Sequence, residues 1–177
     1  MLILSLCDRT GNWSRPYEEA GYIVDRVDLA DGRDVRLMEY PAGRVHGILA
    51  APPCTMFANS GARWQRTEQE IMEALSIVDA CLRLVAVCQP DWWVLENPVG
   101  KLRRYLGAPT YTFDPCDYGD PYTKRTLLWG RFTIPTIQPV YPAEGSKMHR
   151  LPANADRANI RSATPPGFAR AFFEANP

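Results

Sequence analysis

Val45-His46-Gly47-Ile48-Leu49-Ala50-Ala51-Pro52-Pro53-Cys54 is the stretch on which the fold turns. Val45 and residues 47–51 form a short apolar run that reads as a buried β-strand. Two successive prolines stop it, because proline brings no amide hydrogen to a sheet ladder. Cys54 is thereby displayed just past the carboxyl end of a strand. A free cysteine is more often a small core hydrophobe. Against that stand the prolines before it and the small, polar residues 55–61 after it, which suit a ligand-facing loop.

Working outward from this strand, the chain alternates. Leu2–Leu6 is a first buried strand, residues 17–20 a helix closed by Gly21, and residues 22–27 a second strand. On the other side, Ile71, Leu75, Val78, Leu82 and Val85 recur at three- and four-residue spacing, which predicts an amphipathic helix from Glu68 to Gln89, ended by Pro90. Trp92-Trp93-Val94-Leu95 follows as a further buried strand, and residues 110–113 and 126–129 as two more, with turn-rich residues 114–121 between them. Residues 133–157 read as loop, and Pro165-Pro166 opens a closing helix over 167–175. Strand–helix–strand alternation implies an α/β fold, a mostly parallel sheet with helices on both faces. Ligands of such sheets bind beyond the carboxyl ends of the strands. Asp8 to Asn12, Asp28, Pro52 to Cys54 and Glu96-Asn97 occupy those positions.

Bulk properties narrow the function. A chain of 177 residues is expected to form one domain, and 46% apolar with 23% charged residues is the composition of a folded protein. No apolar run approaches the ~20 residues of a membrane span. The start lacks the basic flank and cleavage site of a signal peptide, so a cytoplasmic protein is expected. Five cysteines with no close Cys-x-x-Cys pair argue against a disulfide framework or a zinc site. Net charge is zero, but residues 1–100 carry 9 Lys/Arg against 14 Asp/Glu, and residues 101–177 carry 11 against 6. A phosphate-facing surface would draw on the second half.

At the strand ends, Glu96 closes an apolar strand, where loss of water raises its pKa and favours the protonated, donating form. Asn97-Pro98 either shapes that turn or simply starts the next segment. Gly11 sits in a strand-to-helix turn, and Asp28 lies at the end of the second strand, where dinucleotide-type folds place a hydroxyl-binding acid. A cysteine hydrolase lacks a base: His46 lies at a strand start, on the edge opposite Cys54, and the other histidine is His149.

In order along the chain, these segments resemble the DNA (cytosine-5) methyltransferase family. Ser5, Cys7, Asp8, Gly11, Asn12, Trp13 and Ser14 fall in a stretch similar to Asp-Leu-Phe-Ala-Gly-x-Gly-Gly-Phe-Ser, and Asp34-Val35 is similar to an acid-aliphatic pair. Residues 51–61, Ala-Pro-Pro-Cys-Thr-Met-Phe-Ala-Asn-Ser-Gly, resemble Gly-x-Pro-Cys-Gln-Pro-Phe-Ser-x-Ala-Gly. Residues 89–102 resemble Lys-Pro-x-x-x-x-x-Glu-Asn-Val-x-Gly-Leu, with Glu96, Asn97, Gly100 and Leu102 in register. Tyr118-Gly119-Asp120-Pro121 with Lys124-Arg125 looks like Tyr-Gly-Val-Pro-Gln-x-Arg, and residues 163–175 like the closing Asn-Ser-Val-Pro-Pro helix. The compact pattern is similar to small methyltransferase-like proteins of bacteriophages, which would place it in a host cytoplasm.

The resemblance implies a Rossmann-like class I fold with a seven-stranded sheet whose last strand is antiparallel. It implies S-adenosylmethionine as cofactor, held by Ser5, Cys7, Asp8, Gly11, Asn12, Trp13, Asp28, Asp34 and Pro53. Asp28 would reach the ribose hydroxyls and Asp34 the adenine amine. It implies DNA with a flipped cytosine as substrate, no membrane and no metal. Cys54 would be the nucleophile, Glu96 the acid, Asn97 the shaper of its turn, and Arg125 or Lys124 a support for the ring oxygen or the Cys54 loop. The chemistry suits these residue types: carbon 5 of cytosine attacks a sulfonium methyl only after a thiolate adds to carbon 6. The departures have consequences of their own. Arg9 stands where the family has its leading glycine, which narrows the cofactor site or contacts a carboxylate. Residues 133–157 stand in place of a long target-recognition domain. A catalytically weak binding protein of this fold, or a methyltransferase acting on RNA or nucleotide, therefore remain alternatives.

Overall fold

The computed structural model describes residues 1–59, 65–152 and 157–177. Its strands are β1 (Leu2–Leu6), β2 (Ile23–Val27), β3 (Val45–Ala50), β4 (Trp92–Pro98), β5 (Tyr111–Phe113) and β6 (Thr126–Arg131). Its α-helices are α1 (Arg15–Glu19), α2 (Glu68–Cys88), α3 (Arg103–Leu106), α4 (Arg157–Ser162) and α5 (Pro166–Ala175). The strands form one sheet in the order β2-β1-β3-β4-β6-β5. β1 pairs in parallel with β2 and β3, and β3 with β4, while β6 runs antiparallel to both β4 and β5.

The expected seven-stranded sheet is thus corrected to six strands among the described residues. The interval between β2 and β3 forms two 3-10 turns, Leu29–Asp31 and Val35–Leu37. Its composition explains this. Val35 is buried, but Leu29 and Leu37 are exposed, so no alternating apolar face exists to pack a further strand. Asp28 and Asp34 instead cap the turns, accepting from the amides of Ala30 at 2.8 Å and Arg36 at 2.9 Å. The expectation of an antiparallel last strand agrees with β6.

Side-chain alternation divides the sheet's two faces. Leu4, Leu6, Ile48, Ala50, Leu95 and Trp129 pack with Val78, Cys81 and Leu84 of α2. Ile3, Leu49, Trp92, Val94 and Leu128 pack on the other face with Tyr17 of α1 and with Phe168 and Phe172 of α5. Helix α2 starts in a capping box, Thr67 accepting from the Glu70 amide while the Glu70 carboxylate accepts from the Thr67 amide. No described helix is long and apolar enough to cross a membrane.

The order places β1 at a reversal. The chain goes from β1 outward to β2, then crosses back to β3 on β1's other side. The crevice beyond the carboxyl ends of β1 and β3 is where such sheets bind ligands. Residues 7–10 and 51–54 lie there.

Candidate active site

The cleft at this reversal is lined by Cys7, Asp8, Arg9 and Thr10 after β1, by residues 51–54 after β3, and by Glu96 and Pro98 on β4. Lys124, ahead of β6, and Arg161, Ser162 and Thr164, around the end of α4, complete it. The topology therefore brings Cys54 and Glu96, 42 positions apart, into one cleft.

Local bonds fix the Cys54 loop. The Cys54 carbonyl accepts from the amides of Phe57 (2.9 Å) and Ala58 (2.8 Å), which turns the chain directly after the cysteine. Asn97 Nδ2 donates to the Pro52 carbonyl at 2.9 Å, tying the two proline-flanked turns together. The Phe57 carbonyl accepts from the Lys101 amide at 2.7 Å, and a Cβ at Gly100 would run into that carbonyl, so glycine is required there. Ser60 and Gly61, the far end of the loop motif, lie outside the described residues.

Glu96 is 9% exposed, and its Oε2 is buried with no hydrogen-bond partner among the described residues. Burial pushes its pKa up, the nearby Lys124 charge opposes that, and Asp8 adds to it. Burial also raises the Cys54 thiol, as does the Glu96 charge, whereas Lys124 and Arg161 favour the thiolate. The two groups are coupled: a proton on Glu96 removes one of the charges that oppose a Cys54 thiolate.

The remaining expected residues divide. Asp8 is buried, and its Oδ2 accepts from Ser5 Oγ (3.0 Å), Ser14 Oγ (2.9 Å) and the Ser14 amide (3.1 Å). Ser5 and Asp8 thus brace the loop between β1 and α1. Cys7 and Pro53 line the cleft. Gly11 turns with φ +66°, and the Arg26 guanidinium lies on its bare face. Asn12 lines a separate groove between α1 and α5. Trp13 is fully buried against Phe168 and Phe172, a core position. Asp34 is held by both oxygens to Arg36, which lowers its pKa, and Arg36 also pairs with Glu73 of α2. Arg125 pairs with Asp114 at 2.7 Å and points away from the cleft lining, so of the two basic candidates Lys124 faces Cys54 and Glu96. Lys124 Nζ donates to the Ala163 carbonyl at 3.2 Å. Arg161 and Thr164 escaped sequence reading, and the basic balance of the second half was the one signal that pointed toward them.

No protein-family model matches the chain, and no curated protein matches it. A solved structure from E. coli does: a prophage-encoded protein designated a DNA modification methyltransferase, at 18% identity, with a TM-score of 0.55 over 80% of this chain. The chain shares that protein's fold. It spans about half of that protein's length, 53%.

The strand-end residues fit S-adenosylmethionine in kind: a bare glycine turn, carboxylates after β1 and β2 for amine and hydroxyl groups, and Arg9 with Thr10 for a carboxylate. They fit less well in space. The cleft encloses about 50 Å³, little more than the ~30 Å³ of one liquid water and well below the ~300 Å³ at the low end of ligand pockets. Arg26 is the side chain that must swing off Gly11. Its one printed ion pair, to Glu18 at 3.5 Å, is half-exposed and weak. Among the described residues no group of three His, Cys, Asp or Glu side chains could hold a metal ion.

Proposed function

We propose that this chain methylates carbon 5 of cytosine in DNA, with Cys54 as covalent nucleophile and Glu96 as general acid. The observation that carries the reading is the pairing, in one strand-end cleft, of a half-buried thiol with a buried carboxyl group that has an unpartnered oxygen.

The Cys54 thiolate adds to carbon 6 of the ring, and the displaced electrons move toward nitrogen 3. Glu96, kept protonated by burial, donates its proton there, so the ring becomes an enamine nucleophilic at carbon 5. Lys124 offsets negative charge on either partner. S-adenosylmethionine, when bound, supplies the electrophilic methyl group. The carbon-5 proton then leaves, the double bond re-forms and Cys54 is expelled. Asn97 keeps the Cys54 loop and Glu96 in fixed relation through Pro52. Support for a DNA substrate comes from the shared fold and from the basic second half of the chain.

A binding protein of the same fold is the second reading, favoured by the small cleft and by Arg26 lying across Gly11. Incubation with methyl-labelled S-adenosylmethionine and DNA, RNA or cytidine nucleotide separates the readings. The proposal expects label in 5-methylcytosine after digestion of the DNA. Label confined to RNA or nucleotide would move the substrate, and no label in any of them would favour the binding protein.

A further inference from the structure

The α4–α5 connection folds back across the sheet end, so that Arg161 enters the cleft beside Cys54. Its placement differs from that of Lys124. The Lys124 charge bears on both Cys54 and Glu96, whereas the Arg161 charge bears on Cys54 and does not figure in the environment that shifts Glu96. Arg161 therefore stands at the Cys54 end of the site.

On the proposed reading, that end has a chemical identity. Carbon 6 and nitrogen 3 lie opposite each other across the cytosine ring, so Cys54 and Glu96 set the ring's long axis. Carbon 6 is next to nitrogen 1, which carries the sugar. In the common anti conformation the carbon-6 hydrogen faces the sugar's 5′ oxygen. A cation beyond Cys54, on the side away from Glu96, meets the 5′ side of the nucleotide and not the base edge. Arginine suits that position, since its planar fork engages two phosphate oxygens at once.

We propose that Arg161 binds the phosphate on the 5′ side of the target cytosine and so positions carbon 6 over Cys54. The inference rests on the cytosine reading above. It gives the short α4 segment a positioning task, registering the substrate through its backbone without reading base sequence.

Covalent trapping tests it. In the presence of S-adenosylmethionine, 5-fluorocytosine holds the enzyme because fluorine cannot leave as the proton does. Oligonucleotides carrying it are made with a neutral methylphosphonate immediately 5′ or immediately 3′ of the target, and adduct formation is followed against oligonucleotide concentration. Neutralising the 5′ phosphate should weaken half-saturation about ten- to a hundredfold, the range of a charge-assisted hydrogen bond. The 3′ change should do little. Arg161→Gln should match the 5′ loss and no longer respond to the 5′ substitution. Parallel trapping of 5-fluorodeoxycytidine with and without a 5′ phosphate shows whether a free nucleotide is read in the same way. Equal 5′ and 3′ effects, or an Arg161→Gln variant that keeps its 5′ sensitivity, would overturn the inference alone. No adduct with any probe would overturn it together with the cytosine reading.

Discussion

Glu96→Gln tests the buried acid through stability alone, before any substrate is added. Burial lifts the Glu96 pKa above its ordinary value of 4.5. Below that value the carboxyl is protonated in the folded and unfolded chain alike, and its contribution to stability is fully present. Between 4.5 and the folded value, the folded state keeps a proton that the unfolded chain has released. Stability must therefore fall as pH rises, by up to about 1.4 kcal/mol per pH unit for one proton. Glutamine cannot titrate, so the variant lacks this slope. At the acid end the substitution should cost no more than ~1 kcal/mol, because a neutral acid and an amide of the same shape face the same poorly partnered site. The wild-type advantage should then decline through the window and level off above the folded pKa. Urea unfolding followed by tryptophan fluorescence from about pH 4 to about pH 8 measures the difference. Lys124→Met should extend the window upward, since Lys124 holds the Glu96 pKa down. Parallel stability curves for wild type and Glu96→Gln would refute the reasoning.

Phe172 is fully buried among Trp13, Trp92, Phe132 and Phe168. Phe172→Ala should cost ~3–5 kcal/mol in denaturant unfolding, and a loss under ~1 kcal/mol would show that α5 does not anchor its face of the sheet. Thr67→Ala removes the side-chain half of the α2 capping box and should cost ~0.5–2 kcal/mol; unchanged unfolding would mean that the first turn is held by other contacts. Arg26→Ala clears the Gly11 turn and should enlarge the thermal shift produced by S-adenosylmethionine. A smaller shift would make Arg26 a ligand-holding side chain instead.

Much of this molecule was legible residue by residue. All six strands coincide with apolar runs closed by turn residues, and α2 follows its three- and four-residue spacing from Glu68 to Cys88. The seventh strand rested on family likeness, with no apolar run behind it, and residues 28–44 carry no alternating face to form it. Cys54 and Glu96 were visible because each follows a strong strand signal and stands at a carboxyl end of the sheet. Asp28 and Asp34 show where such reading becomes ambiguous, since an aspartate after a strand serves equally as a turn cap or a ligand. Lys124 and Arg125 are neighbours in sequence, and which of them faces the cleft depends on Asp114, ten and eleven positions earlier, which accepts from the Lys124 amide and the Arg125 side chain. Trp13 reads as a loop residue until α5 arrives from the far end of the chain to bury it. Arg161 likewise acquires meaning from tertiary placement, more than 100 positions from the cysteine it approaches.

The central claim, that Cys54 attacks the base, is tested most directly by intact-protein mass spectrometry. The protein is incubated with S-adenosylmethionine and DNA containing 5-fluorocytosine. The account predicts a covalent protein–DNA species whose link maps to Cys54, absent in Cys54→Ser, with the fully buried Cys81 unmodified. An adduct that persists in Cys54→Ser, or wild-type protein that binds the cofactor and yields no adduct, would contradict it.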